Sequence, residues 1–173
     1  KTKEENRMIK ILSSIKKINT MDNSTAIKNT VREKYTAIAN QSKDQNISSC
    51  CGATGCGDGK AVYTIMADEY KGMEGYNPDA DLGLGCGLPT EYAKIKEGDT
   101  VIDLGSGAGN DAFIARKITG ESGKVIGIDF TEAMIARARE NVEKLGFNNV
   151  EFRQGDIEDM PVTSNKADVI VSN

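Results

Sequence analysis

Apolar side chains recur every three or four positions in the N-terminal part of the chain, whereas from Gly98 onward they gather into short β-branched runs separated by helical stretches. Ile9, Leu12, Ile15 and Ile18 share one face of a basic stretch over residues 1–20, which predicts an amphipathic helix. Such a helix can lie on a membrane surface or a partner, but its commoner use is as an extension packed loosely on the body. Met21 is a candidate natural start, with residues 1–20 upstream of it. Asn23 or Ser24 can cap a second helix whose apolar face is Ile27, Val31, Tyr35 and Ile38. Residues 41–60 are polar and glycine-rich, a loop that carries Cys50, Cys51 and Cys56.

Thr100–Leu104, Lys124–Asp129, Asn149–Arg153 and Ala167–Val171 are short runs rich in Val, Ile and Phe behind turn residues, and each predicts a strand. Between the second and the third, Thr131 can cap a helix with Met134, Ala138, Val142 and Leu145 on its apolar face, and Gly146 sits where a left-handed residue would close it. Strands alternating with helices at this spacing imply right-handed crossovers and a parallel sheet. The expected fold is therefore α/β and Rossmann-like, the first half of a doubly wound sheet, with N-terminal helices and a Cys-rich loop in front. Because the chain ends on Ser172-Asn173 straight after the fourth strand, the far edge of the sheet has no cover and the sequence reads as a fragment. The expected organisation is a basic helical extension over 1–20, an N-terminal helix with the Cys-rich segment over 21–97, and half of a cofactor-binding domain over 98–173.

The 173 residues, 38% hydrophobic and 28% charged with a net charge of −4, fit a globular chain and point away from nucleic acid as a partner. No apolar run approaches the roughly 18 residues that cross a bilayer, and the N-terminus lacks a secretory signal, so the expected place is the cytoplasm with no membrane partner. In a reducing compartment the four cysteines are better read as ligands or redox catalysts than as a disulfide framework. The chain has no histidine, so its chemistry proceeds without the usual imidazole base.

Asp103-Leu104-Gly105-Ser106-Gly107-Ala108-Gly109 follows the first strand and opens a helix at Asn110 or Asp111. Glycines suit a tight turn against which a cofactor lies on bare backbone. The spacing is G-x-G-x-G, not the G-x-G-x-x-G of dinucleotide enzymes, and Asp103 would repel a phosphate. S-adenosylmethionine carries no phosphate but a positive sulfonium and amino group, so this loop favours it over NAD. Asp129 ends the second strand about 20 residues later, where a carboxylate accepts from ribose hydroxyls. Asp156 and Ile157 follow the third strand, placed to meet the adenine amino group and ring. Gly105, Ser106, Gly107, Gly109, Asn110 and Asp103 from the loop, with Asp129, Phe130, Asp156, Ile157 and Asn173 at strand ends, form the expected cofactor set.

Cys50-Cys51, Cys56 and Cys86 lack a paired zinc spacing, but thiolates suit a soft acceptor. With these residues in view the chain resembles the arsenite S-adenosylmethionine methyltransferases. The resemblance runs from Val31-Arg32-Glu33-Lys34-Tyr35 through Ser49-Cys50-Cys51-Gly52, Ala80-Asp81-Leu82-Gly83-Leu84-Gly85-Cys86-Gly87, Val101–Gly107 and Gly127-Ile128-Asp129 to Asp168–Asn173. It implies the class I S-adenosylmethionine-dependent methyltransferase fold and methyl transfer to arsenite, or its thiol conjugates, held by three thiolates. Cys86 would be one catalytic ligand and Cys50 or Cys51 another, with Cys56 a possible competitor. In the family a cysteine follows the Ser-Asn after the fourth strand, so the fragment would lack a ligand. A reductant of thioredoxin or glutathione type would complete the cycle. Two other readings remain open at this stage: a methyltransferase for an ordinary small molecule, and a non-catalytic thiol module that binds a metalloid.

Overall fold

The computed structural model describes residues 24–42, 45–46, 70–84 and 87–173. Cys50, Cys51, Cys56 and Cys86 lie outside the described residues, as does the helix expected over 1–20. The chain divides into two units, residues 1–34 and residues 35–173. In the first, residues 24–34 belong to helix α1, which spans 24–39. Ile27 there is 57% exposed, so the expected apolar face does not bury at that position.

The second unit is built on four parallel strands: β1 (Thr100–Leu104), β2 (Lys124–Asp129), β3 (Val150–Gln154) and β4 (Val169–Ser172). Their order is β3-β2-β1-β4. Helix α2 (Pro89–Tyr92) precedes β1, α3 (Asn110–Thr119) links β1 to β2, and α4 (Glu132–Leu145) links β2 to β3. The chain thus steps outward from β1 to β3 and then returns to the other side of β1. That reversal leaves a crevice at the carboxyl ends of β1 and β4, where sheets of this kind receive ligands.

Two strands begin a little later than the sequence suggests, and side chains explain why. Asn149 Nδ2 donates to the carbonyls of Gly120 and Gly123, both at 2.8 Å, so this residue ties down the turn before β3 instead of opening the strand. Asp168 anchors β4 in the same way: its Oδ2 accepts from Thr100 N–H at 2.8 Å while its own N–H donates to Thr100 O at 2.9 Å.

The main core lies between the sheet and the helices. Val101, Val125, Val150, Phe152 and Val171 meet Ala112, Phe113, Met134, Ile135 and Ala138, all buried. Ile38 and Ala39, at the end of α1, join this cluster. Phe113 packs edge-on to Phe152, with ring centroids 5.9 Å apart, and tilted to Phe147 at 6.1 Å. The opposite face holds the smaller group Ile102, Ile126 and Ile128. Gly146 closes α4 in the left-handed conformation, φ 68°, and its N–H donates to Val142 O at 2.9 Å, as its sequence position predicts. Leu145, expected on the apolar face of α4, is 40% exposed, while Ile135 and Asn141 are buried in its place. Thr131 holds the cap position with extended backbone, yet its hydroxyl makes no capping bond.

Candidate active site

The β1–α3 turn is clamped to the neighbouring strand. Ile128 O on β2 accepts the N–H groups of both Gly105, at 2.8 Å, and Ser106, at 3.0 Å. Asp129 then holds two backbones together: Oδ2 accepts from Gly107 N–H at 3.0 Å and Oδ1 from Thr131 N–H at 2.8 Å. The turn needs its glycines for different reasons. Gly105 and Gly107 have φ of 73° and 51°, and a Cβ on either would point into open space. At Gly109, φ 101°, a Cβ would come within 2.6 Å of Phe152 Cζ and 2.9 Å of Phe113 Cζ. The first two glycines leave a cradle open, whereas the third lets helix α3 approach the sheet.

A cleft of about 270 Å³ opens over this turn. Gly105, Ser106, Gly107 and Asn110 form its floor, Asp129, Phe130 and Met134 one side, and Ala80, Asp81, Leu82 and Leu84 the facing wall. Tyr35, Tyr70, Asp111 and Asn173 also line it. Of the residues expected to bind a cofactor, the cleft therefore brings together Gly105, Ser106, Gly107, Asn110, Asp129, Phe130 and Asn173. Asp103, Gly109, Asp156 and Ile157 are not among its lining residues. Ile157 is 60% exposed, and Asp156 belongs to a tight turn in which its O accepts from Asp159 N–H and its Oδ1 from Glu158 N–H, each at 3.0 Å.

Asp103 is buried, 2% exposed. Burial first, then the carboxylates of Asp111 and Asp129, push its carboxyl well above the usual range, against a backbone hydrogen bond from Ala112. Its Oδ2 has no hydrogen-bond partner among the described residues. The negative lining of the cleft comes instead from Asp81, Asp111 and Asp129, and no Lys or Arg stands among the lining residues. Ser106 Oγ and Asn110 Oδ1 also lack partners among the described residues. The cleft is suited to a cationic, hydroxyl-bearing ligand and unsuited to a phosphate.

Sequence motifs do not reveal Tyr70, and they carry Asp81 and Asp111 without pointing to a place for either in the cleft. Tyr70 O–H lies 2.6 Å from Gly87 O and 3.2 Å from each oxygen of Asp111. Asn173 Nδ2 is 2.5 Å from Tyr70 Oη, 2.9 Å from Gly87 O and 3.1 Å from Asp111 Oδ2. Asp81 accepts from Tyr76 O–H at 2.7 Å and from Gly83 N–H at 2.9 Å. Burial, then that bond and the Asp81 charge, push the Tyr76 phenol up to about 12. The signals in the sequence are the place of Asp81 in the Ala80–Gly87 stretch and that of Asp111 next to Asn110 at a helix start.

Comparison with known proteins places the chain. A methyltransferase-domain model matches residues 95–173. The arsenite methyltransferase of Halobacterium salinarum is 44% identical over 154 residues, which cover 83% of this chain and 38% of that protein. The arsenite methyltransferase of Aquipseudomonas alcaligenes is 32% identical over 151 residues, 83% of this chain and 40% of its own length. Protein-L-isoaspartate O-methyltransferase 2 of Archaeoglobus fulgidus is 41% identical over 66 residues, 38% of this chain and 30% of that one. The chain thus spans about two-fifths of the length of these two arsenite methyltransferases. With a Rossmann-like sheet, a glycine turn at its switch point and a methyltransferase-domain match, the chain has the fold of the S-adenosylmethionine-dependent methyltransferases, and its similarity to arsenite methyltransferases reaches over 83% of its length.

Proposed function

We propose that the protein transfers a methyl group from S-adenosylmethionine to trivalent arsenic held by cysteine thiolates, Cys86 among them with Cys50 or Cys51. The observation that carries this reading is the reach of the similarity. A stretch covering 83% of the chain cannot avoid the segment from Cys50 to Cys86, well upstream of the methyltransferase domain at 95–173.

Gly105, Ser106, Gly107 and Asn110 would cradle the donor. Asp129, fixed by two backbone N–H groups, keeps lone pairs for ribose hydroxyls. Phe130 and Met134 give an apolar side for the base. Bound S-adenosylmethionine supplies an electrophilic methyl group. Trivalent arsenic on three thiolates keeps a lone pair, so no general base is needed, in keeping with a chain that has no histidine. The protein contributes position, worth on the order of 7–11 kcal/mol when two reactants are held together. Gaining the methyl raises arsenic formally from the trivalent to the pentavalent state. Two thiolates return the electron pair by closing a disulfide, which a thioredoxin- or glutathione-type reductant reopens. Thiolate chemistry of this kind places the protein in the reducing cytoplasm.

The test is transfer of labelled methyl from S-adenosylmethionine by the full-length gene product, with and without arsenite and a dithiol reductant. Arsenite-dependent transfer that Cys86→Ser abolishes is the expected result. Equal transfer without arsenite, or full activity in C86S, would sink the proposal.

A further inference from the structure

In sequence Cys86 stands between Leu84, a lining residue of the cleft, and Gly87, whose carbonyl is bonded by two other lining residues, Tyr70 and Asn173. Gly87 O accepts from Tyr70 O–H at 2.6 Å and from Asn173 Nδ2 at 2.9 Å. The two oxygens of Asp111 lie farther from Tyr70 Oη, each at 3.2 Å, outside the usual range of an O–H···O bond. The single phenol hydrogen therefore belongs to the Gly87 carbonyl, and Tyr70 Oη in turn accepts from Asn173 Nδ2 at 2.5 Å. We propose that Tyr70 is a positioning residue for the methyl acceptor: with Asn173 it fixes the Gly87 carbonyl, so that the neighbouring Cys86 thiolate is presented to the cleft at a set distance from the donor. This rests on Cys86 as an arsenic ligand, the reading proposed above.

The tether has a firm base. Tyr70 is 2% exposed, Met73 N–H donates to its carbonyl at 3.0 Å, and Tyr76 N–H donates to Met73 O at 3.2 Å. These turns bring Gly75 onto α3, where a Cβ would lie 2.8 Å from Phe113 O and 3.1 Å from Ile114 Cα, so backbone meets backbone there. Phe113 belongs to the main core. A continuous path of contacts thus runs from the core through α3 and Gly75 to Tyr70 and on to Gly87. Burial, then the charge of Asp111 beside it, raises the Tyr70 phenol far beyond its usual range, so the hydroxyl keeps the hydrogen it donates. A trans peptide link keeps consecutive Cα atoms about 3.8 Å apart, so a fix on Gly87 limits the travel of Cys86. Group transfer is sensitive to such limits, since a misplacement of about 1 Å can cost on the order of a hundredfold in rate. Tyr70 acts through Gly87 and touches no reacting atom.

The experiment compares the full-length gene product with its Tyr70→Phe variant, which keeps the ring and removes the hydroxyl. Calorimetry under a phosphine reductant gives the affinities for arsenite and for S-adenosylmethionine, and hydrogen exchange is followed over residues 84–88. Loss of one neutral hydrogen bond should weaken arsenite binding about three- to tenfold and S-adenosylmethionine binding by less. Exchange should speed up over 84–88 while β1 and β2 stay protected, whereas a general loosening would weaken both ligands and speed exchange throughout. Asn173→Ala, which lacks the second bond to Gly87 O, should speed the same exchange and weaken arsenite binding too. Unchanged arsenite affinity in Y70F, an equal or larger loss for S-adenosylmethionine, or unchanged exchange over 84–88 would overturn the proposal. Should Y70F fail to fold, arsenite affinity and exchange in N173A decide. Cys86→Ser, measured alongside, separates the two readings. Arsenite affinity that survives in C86S defeats Cys86 as a ligand and this inference with it, while affinity lost in C86S but intact in Y70F defeats the role of Tyr70 alone.

Discussion

Residues 95–173 and the wall formed by 76–84 face each other across one cleft, yet they hold their shape by different means. The first is a parallel sheet with an apolar core, in which Val101, Phe113, Val125 and Ile128 are fully buried. The second has no strand or α-helix, and polar side chains tie it down beside the buried Ala80 and Leu82. Arg137 on α4 donates to Ala39 O at 2.8 Å, Gln41 O at 3.1 Å and Asp79 O at 3.2 Å, and Lys144 reaches Asp79 Oδ2 at 3.3 Å. Asn46 Nδ2 adds bonds to Ile38 O and Leu82 O. The donor side is thus fixed by packing, and the wall by polar staples together with Ala80 and Leu82, which reach into the main core. Core damage should unfold the whole unit, while staple damage should loosen only the wall.

The largest effect belongs to the aromatic centre. Phe113→Ala removes the ring that meets Phe147, Phe152 and the Gly109 backbone, and should cost about 3–5 kcal/mol, read as a fall in the midpoint of thermal unfolding. A loss below about 1 kcal/mol would show that packing on the donor side is looser than these contacts require.

Next come two glycines that sit in one turn and do opposite things. Gly109→Ala drives a methyl into Phe152 and Phe113 at a positive φ, so about 1–3 kcal/mol of stability should go. Gly105→Ala meets nothing and should cost only about 1 kcal/mol of backbone strain, but its methyl enters the cleft. Thermal unfolding and S-adenosylmethionine binding, measured on both, should rank them in reverse order. The same ranking by both measurements would remove the division between cradle and packing glycine.

This contrast also explains what the sequence revealed. Repetitive backbone advertises itself: β1 and β2 fall on their expected residues because every position in a parallel ladder obeys one rule. The loop glycines were legible as a group, but Gly109 alone among them faces a ring contributed by β3, and no local spacing foretells a neighbour that distant. Asp103 looked like a ligand because it precedes the glycines. Strand alternation buries it, and Asp111 lines the cleft from a position with no motif. Residues 80–84 of the wall stand in the stretch that carries the resemblance, but the contacts that hold the wall leave no mark in the sequence. Tyr70 and Arg137 work through single carbonyls far away in sequence, at Gly87 and at Ala39 and Gln41, and isolated contacts leave no period to read.

Arg137→Ala tests the polar staples. Removing them should cost about 1–2 kcal/mol, less than the core change, because some of the freed carbonyls regain water. Hydrogen exchange should speed up in residues 76–84 and leave β1 and β2 protected. Uniformly faster exchange across the sheet would mean that wall and core open together.

The smallest effect is a slope, not a midpoint. Asp103 is buried beside Asp111 and Asp129, and its folded carboxyl titrates well above the unfolded value. In acid, below the unfolded value of about 4, both states hold the proton and stability is intact. As the pH rises past that value the unfolded chain releases its proton while the folded chain retains it, so stability falls until the folded carboxyl ionises too. Asp103→Asn keeps the shape and lacks that proton equilibrium, and its side-chain oxygen can still accept from Ala112 N–H. Thermal unfolding measured against pH should therefore separate the two proteins little in acid and progressively more toward neutrality, with D103N the more stable. Parallel curves would show that the Asp103 carboxyl is ionised in the folded state, and that the charge beneath the glycine turn is offset by contacts other than the one from Ala112.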